Sequence, residues 1–173
     1  MSEISTYLEQ DHRRCDDQYT MAEAEVARRQ WDSARIEFTR FGALFGRHLD
    51  KEDRVLFPAI DRMLGNAAGA TTAMRTEHRY LRAIVARMAY AISNRDSNRF
   101  FDEADALRKL MRLHHLKEEA VLYPMADQLL CNRADDIKAR MDALDAADAA
   151  DAAAAIPEQP PRARTCAPSY EEQ

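Results

Sequence analysis

The chain has 173 residues with 25 basic and 30 acidic side chains, a formal charge of −5, and 46% hydrophobic against 32% charged residues, the mixture of a globular protein. Glycine and proline together number ten, and four of the six prolines fall in the last 17 residues, so the body has too few turn formers for a β-sandwich, a barrel or a βαβ fold. The acidic balance, without a basic block, argues against nucleic acid as a partner, and no apolar run reaches the ~18 residues of a membrane span.

From the N-terminus, MSEISTYLEQDHRR lacks the basic and apolar regions of a signal peptide, so a cytoplasmic protein is expected. A first helix follows from Ile4, Leu8, His12, Cys15, Tyr19, Ala22 and Val26, which recur in steps of four and three. Around Arg28 to Gln30 the chain turns, and Asp32 is a plausible N-cap for a second helix whose seam is Ala34, Phe38, Phe41, Phe45, His48, Glu52 and Val55. Pro58 is expected to kink or end that helix. Gly65 to Gly69 separates it from a third helix with the seam Met74, His78, Leu81, Val85, Met88 and Ile92. After a short connection at Asn94 to Ser97, with Asp96 as N-cap, a fourth helix aligns Phe100, Ala104, Leu107, Met111, His114, Glu118 and Val121, and Pro124 stands where Pro58 stood. Short connections make neighbouring helices antiparallel. The expected fold is therefore all-α, an up-down-up-down four-helix bundle over residues 1–130. A short extra helix is expected over 131–147 and a disordered Ala/Asp- and Pro-rich tail over 148–173.

The bundle is a duplication. A shift of 66 positions lays RHLDKEDRVLFP, residues 47–58, over LHHLKEEAVLYP, residues 113–124, and places His12 on His78. Each half reads His, then 36 residues on His-x-x-x-Glu, then Pro six residues later. His12, His48, Glu52, His78, His114 and Glu118 thus sit on apolar seams, where an unpaired imidazole or carboxylate costs several kcal/mol. Isolated core histidines satisfied by carboxylates would not account for four at repeated spacing. His and Glu at i and i+4 project from one helix face, and the two-fold pattern points to two metals, each held mainly by two histidines and bridged by Glu52 and Glu118. Nitrogen and oxygen donors without thiolate suit iron, with manganese, zinc or cobalt as alternatives, whereas a structural zinc site is usually rich in cysteine. Cys15, Cys131 and Cys166 have unrelated spacings and no CxxC, so they form neither a disulfide framework nor a zinc knuckle and suit a reducing compartment.

Over about residues 1–130 these motifs resemble the hemerythrin-like HHE cation-binding family. The resemblance implies a non-haem centre of two iron ions bridged by two carboxylates and an oxo or hydroxo group. It also implies a role in reversible oxygen binding, in iron or oxygen sensing, or in repair of damaged iron-sulfur centres under oxidative or nitrosative stress. Oxygen-carrying members have a further histidine four residues after that on the third helix. Here that position is Arg82, so the ligand pattern is closer to the repair-of-iron-centres branch. The expected function is that of a di-iron protein that binds or reacts with O2, NO or peroxide. Alternatives are an enzyme or iron donor that repairs iron-sulfur centres, or an iron or oxygen sensor; no membrane partner is expected.

Several neighbouring residues carry weaker expectations. Asp16, the repeat partner of Arg82, could pair with it at the mouth of the site. His115, rotated about 100° from His114, is expected to face a neighbouring helix or solvent. Asp53 and Glu119 read as solvated partners rather than as groups orienting imidazoles. Glu9 with His12 makes an ExxH, but ferritin-like sites need that motif twice. Gly42 and Gly46 suggest close helix packing, Cys15 a core residue, and Tyr19 and Tyr123 aromatic residues near the core.

Overall fold

The computed structural model describes residues 3–65 and 69–154 and is built of helices. Helix α1 (Ile4–Ala27) is followed by α2 (Trp31–Lys51), a π-helical turn Glu52–Leu56 and α3 (Phe57–Leu64). The second repeat matches it: α4 (Gly69–Ser93), α5 (Ser97–Lys117), a π-helical turn Glu118–Leu122 and α6 (Tyr123–Leu129). A final helix, α7 (Ala134–Ala154), completes the order. Helix α1 packs on α2, α4 on α5 and α2 on α4, the expected bundle. Among the described residues no helix is long and apolar enough to cross a membrane.

The two hairpin connections share one device. Arg29 and Arg95, equivalent in the repeats, have φ of 58° and 56°, the left-handed region that usually falls to glycine at a helix C-terminus. In the first connection Gln30 N–H bonds Glu25 C=O and Arg29 N–H bonds Val26 C=O. In the second, Asp96 N–H bonds Ala91 C=O and Arg95 N–H bonds Ile92 C=O. These are paired Schellman bonds that satisfy the last carbonyls of α1 and α4. Asp96 then caps α5 by accepting from Arg99 N–H at 3.0 Å, as expected, whereas Asp32 lies inside the first turn of α2 and caps nothing.

Pro58 and Pro124 do not end their helices. A proline lacks the N–H for the carbonyl four residues back and crowds it, and here the chain widens by one residue. Phe57 N–H reaches Glu52 C=O, and Tyr123 N–H reaches Glu118 C=O. The extra residue rotates everything after it. In the second repeat Leu122 and Tyr123 turn inward, and Val121, expected on the seam, is 63% exposed. Val55 stays buried in the first repeat, because α7 packs over that turn as well as over α1 and α2.

Burial divides the interior into two apolar clusters. One gathers Tyr19, Phe38, Phe41, Phe45, Leu81, Met88, Phe100 and Leu107 towards the hairpin connections. The other gathers Ile4, Leu8, Leu56, Phe57, Ile60, Met74, Tyr123, Ile137 and Met141 towards the π turns and α7. Along each of α1, α2, α4 and α5 the seam crosses from one cluster to the other through a histidine. Helix α7 runs further than expected, because the Ala/Asp stretch stays helical to Ala154. The rest of the expected tail, from 155 on, lies outside the described residues, as does Cys166.

Candidate metal centre

All six seam residues meet in the layer between the two apolar clusters. His12, His48, Glu52, His78, His114 and Glu118 are each at most 3% exposed. Glu52 Oε2 lies 3.5 Å from His48 Nε2 on its own helix and 3.3 Å from His78 Nε2 on α4. Glu118 mirrors it, with Oε1 2.9 Å from His114 Nε2 and Oε2 3.3 Å from His12 Nε2. Each carboxylate therefore reaches an imidazole of both repeats. His12 Nε2 and His48 Nε2 approach to 3.1 Å. Donor atoms of Glu52, His78, His114 and Glu118 all lie within 4.8 Å of one another, and those of His12, His115 and Glu118 form a second such group.

Outside this layer, carboxylates fix the other face of three imidazoles. His12 Nδ1–H donates to Glu119 Oε1 at 2.8 Å, His78 Nδ1–H to Asp53 Oδ1 at 2.9 Å, and His114 Nδ1–H to Glu77 Oε2 at 3.1 Å. Such a bond leaves Nε2 as the free donor atom and holds the ring in place. Asp53 and Glu119 thus orient histidines, contrary to their expected role as solvated partners. Glu77, which sequence reasoning passed over, also binds Lys117. Its repeat equivalent Asp11 is one methylene shorter, binds Lys51 Nζ at 2.7 Å, and leaves His48 Nδ1 without a hydrogen-bond partner.

Arg82 belongs to the same support. It donates to Asp53 Oδ2 at 2.9 Å and to Asp50 Oδ1 at 2.6 Å, not to Asp16. Asp16 instead lines a cleft of about 480 Å3 with Tyr19, Met111, His115 and Glu119. Residues related by a pseudo-two-fold axis meet only on that axis, and these two lie off it. Glu9 stays at the half-exposed edge with Arg13. Gly42 and Gly46 border an apolar groove of about 240 Å3 against Val85 and Ala89. Cys15 is buried and free, its thiol pushed up to about 12 by burial first and then by the charges of Asp11 and Asp16.

Two differences break the symmetry of the layer. Tyr123 donates from its hydroxyl to Glu52 Oε1 at 2.8 Å and lies 3.1 Å from His12 Nε2, whereas Phe57, its equivalent, stacks on His78 with centroids 5.3 Å apart. His115 faces neighbouring helix α1, where it stacks on His12 at 3.7 Å between centroids.

Electrostatics follow from burial and proximity. Burial pushes Glu52 up to about 7, helped by the charge of Glu118. For Glu118 the same burial is outweighed by the imidazoles of His114, His12 and His78 that surround its carboxylate, which hold it well below the usual carboxylate range. Burial opposes charge on His12 and His78, yet their carboxylate partners carry them up to about 9 and about 11. His48 falls well below its ordinary value through burial and the charge of His12, and His115 falls to about 3 for the same two reasons. The two carboxylates thus draw positive charge into the layer.

The donor set fits a cation on one further observation. Glu52 Oε2, His78 Nε2, His114 Nε2, His115 Nε2 and both Glu118 oxygens are buried without a hydrogen-bond partner. Orphaned buried polar atoms cost about 1–3 kcal/mol each, and a cation shared among them removes that cost.

The family model of the hemerythrin HHE cation binding domain matches residues 3–126 and again 69–162. The second match begins one repeat after the first. No curated protein and no solved structure matches the chain. With most of its length matched and a buried His/Glu layer that can take a metal ion, the chain belongs to the hemerythrin HHE cation-binding domain family.

Proposed function

We propose that His12, His48, Glu52, His78, His114 and Glu118 hold two iron ions, and that the centre binds or reacts with O2, NO or peroxide in iron handling or in defence against oxidative or nitrosative stress. The observation that carries this reading is the set of buried nitrogen and oxygen atoms without hydrogen-bond partners, contributed by both repeats and facing one layer. A nitrogen and oxygen donor set without thiolate suits iron, and manganese or zinc less well. Bound there, iron supplies a redox couple and a Lewis acid.

The chain's own residues supply the rest. Glu52 and Glu118, each in reach of imidazoles from both repeats, are the groups two cations would share. Glu119, Asp53 and Glu77 keep Nε2 of three histidines turned inward. Tyr123 holds a proton on its hydroxyl next to Glu52, and burial followed by the charge of Glu52 keeps it there well above the usual tyrosine range. Phe41, Phe45, Leu81, Leu107 and Met111 exclude water on one side, which favours small neutral visitors. The cleft at His115 and Glu119 gives them a way in. Cys15 and Cys131 are free thiols, which suits a cytoplasmic setting.

A second reading, an enzyme or iron donor for iron-sulfur repair, is favoured over reversible oxygen carriage by Arg82. Its guanidinium is committed to Asp50 and Asp53 and offers no donor to a metal. Adding O2 to the iron(II)-loaded protein separates the roles by absorption spectroscopy. Rapid, irreversible oxidation is expected, and a stable oxygenated band that disappears under vacuum would establish a carrier instead.

A further inference from the structure

We propose that His115 is a metal ligand on the His12 side of the layer, a donor that the His78 side lacks. This rests on the reading that the layer holds two cations. Consecutive residues on α5 project about 100° apart, and the two adjacent histidines serve different helices. His114 turns to α4, where its Nδ1–H meets Glu77 and its ring lies 4.9 Å from that of His78. His115 turns to α1 and lies almost parallel to His12, 13° between planes. Its Nε2 is buried and has no hydrogen-bond partner. A donor nitrogen of His115 lies within 4.8 Å of donor atoms of His12 and Glu118.

A packing role alone does not account for this atom. A buried imidazole nitrogen without a partner costs about 1–3 kcal/mol, and an aliphatic side chain would avoid that cost. The first repeat takes that route, since the position equivalent to His115 is Leu49, fully buried. The pseudo-two-fold is thus broken by a donor on one side only. One cation position is served by His78, His114 and the two shared carboxylates, and the other by His12, His48 and the same two carboxylates with His115 as an added donor. The His12 side then binds the more tightly, and the two ions differ in environment.

Cobalt(II) titrated into the metal-free full chain, followed by calorimetry and visible absorption, tests the assignment without reference to activity. Wild type should take up about two ions in two affinity classes. His115→Leu, which copies the first repeat, and His115→Gln, which keeps a polar side chain should the leucine variant fail to fold, should still take up two. In each the tighter class should weaken on the order of tenfold or more, with its visible band altered and that of the weaker class retained. Isotherms and spectra identical to wild type would overturn the role of His115 and leave the six-residue centre standing. A wild-type chain that takes up fewer than two ions would overturn the two-cation reading, and this inference with it.

Discussion

Asp53 joins two demands at one carboxylate: one oxygen accepts from His78 Nδ1–H and the other from Arg82. Removing it frees the His78 ring to rotate and leaves Arg82 on Asp50 alone. For Asp53→Ala a loss of metal affinity of about 10–100-fold is expected, with the fold retained because the carboxyl lies at a partly exposed edge. A competitive chelator titration measures it, and unchanged affinity would mean that the bond to His78 does not orient a ligand. The signal for this role was present in the repeat, since an acid follows each seam glutamate, Asp53 after Glu52 and Glu119 after Glu118. Read singly, each looks like a solvated helix charge. Only the packing of α4 against α2 and of α1 against α5 and α6 shows that each reaches across to the other repeat's histidine. The pairing of Asp16 with Arg82 failed for the converse reason, because equivalence in sequence says nothing about proximity away from the symmetry axis.

At the scale of the elements, the two π turns and α7 shape the centre from below. Each turn begins at a seam glutamate and ends one residue before the aromatic that closes the layer, Phe57 or Tyr123. Proline announced a disruption there, but not that the helix would continue through it, since widening by one residue is decided by the packing that follows. Helix α7 fastens to the first repeat through Tyr7 to Asp142 at 2.7 Å and Lys51 to Asp145 at 2.8 Å, and it buries Ile137 and Met141 completely. Its alternating Ala and Asp residues gave little apolar period, so its length and its docking were not legible. Ile137→Ala should destabilise the metal-free protein by about 2–5 kcal/mol. A urea midpoint unchanged from wild type would mean that α7 contributes nothing to the fold.

For the whole molecule, duplication made the architecture readable: four seams, two hairpins and six inward polar residues all followed from one offset, and the residues of the first seam are all buried. Departures from that symmetry were the unread part. Tyr123 against Phe57, His115 against Leu49 and Glu77 against Asp11 are single substitutions between repeats, and their meaning depends on which helix each side chain faces. The central claim, that the six residues hold a pair of iron ions, is tested most directly by the iron content of the full chain after anaerobic iron(II) loading and removal of excess metal. Wild type should retain about two ions per chain, with the near-ultraviolet bands of a bridged pair after exposure to air, and Glu52→Gln/Glu118→Gln should retain less than about one. A wild-type chain that keeps no iron, or a double variant that keeps the full load, would contradict the account.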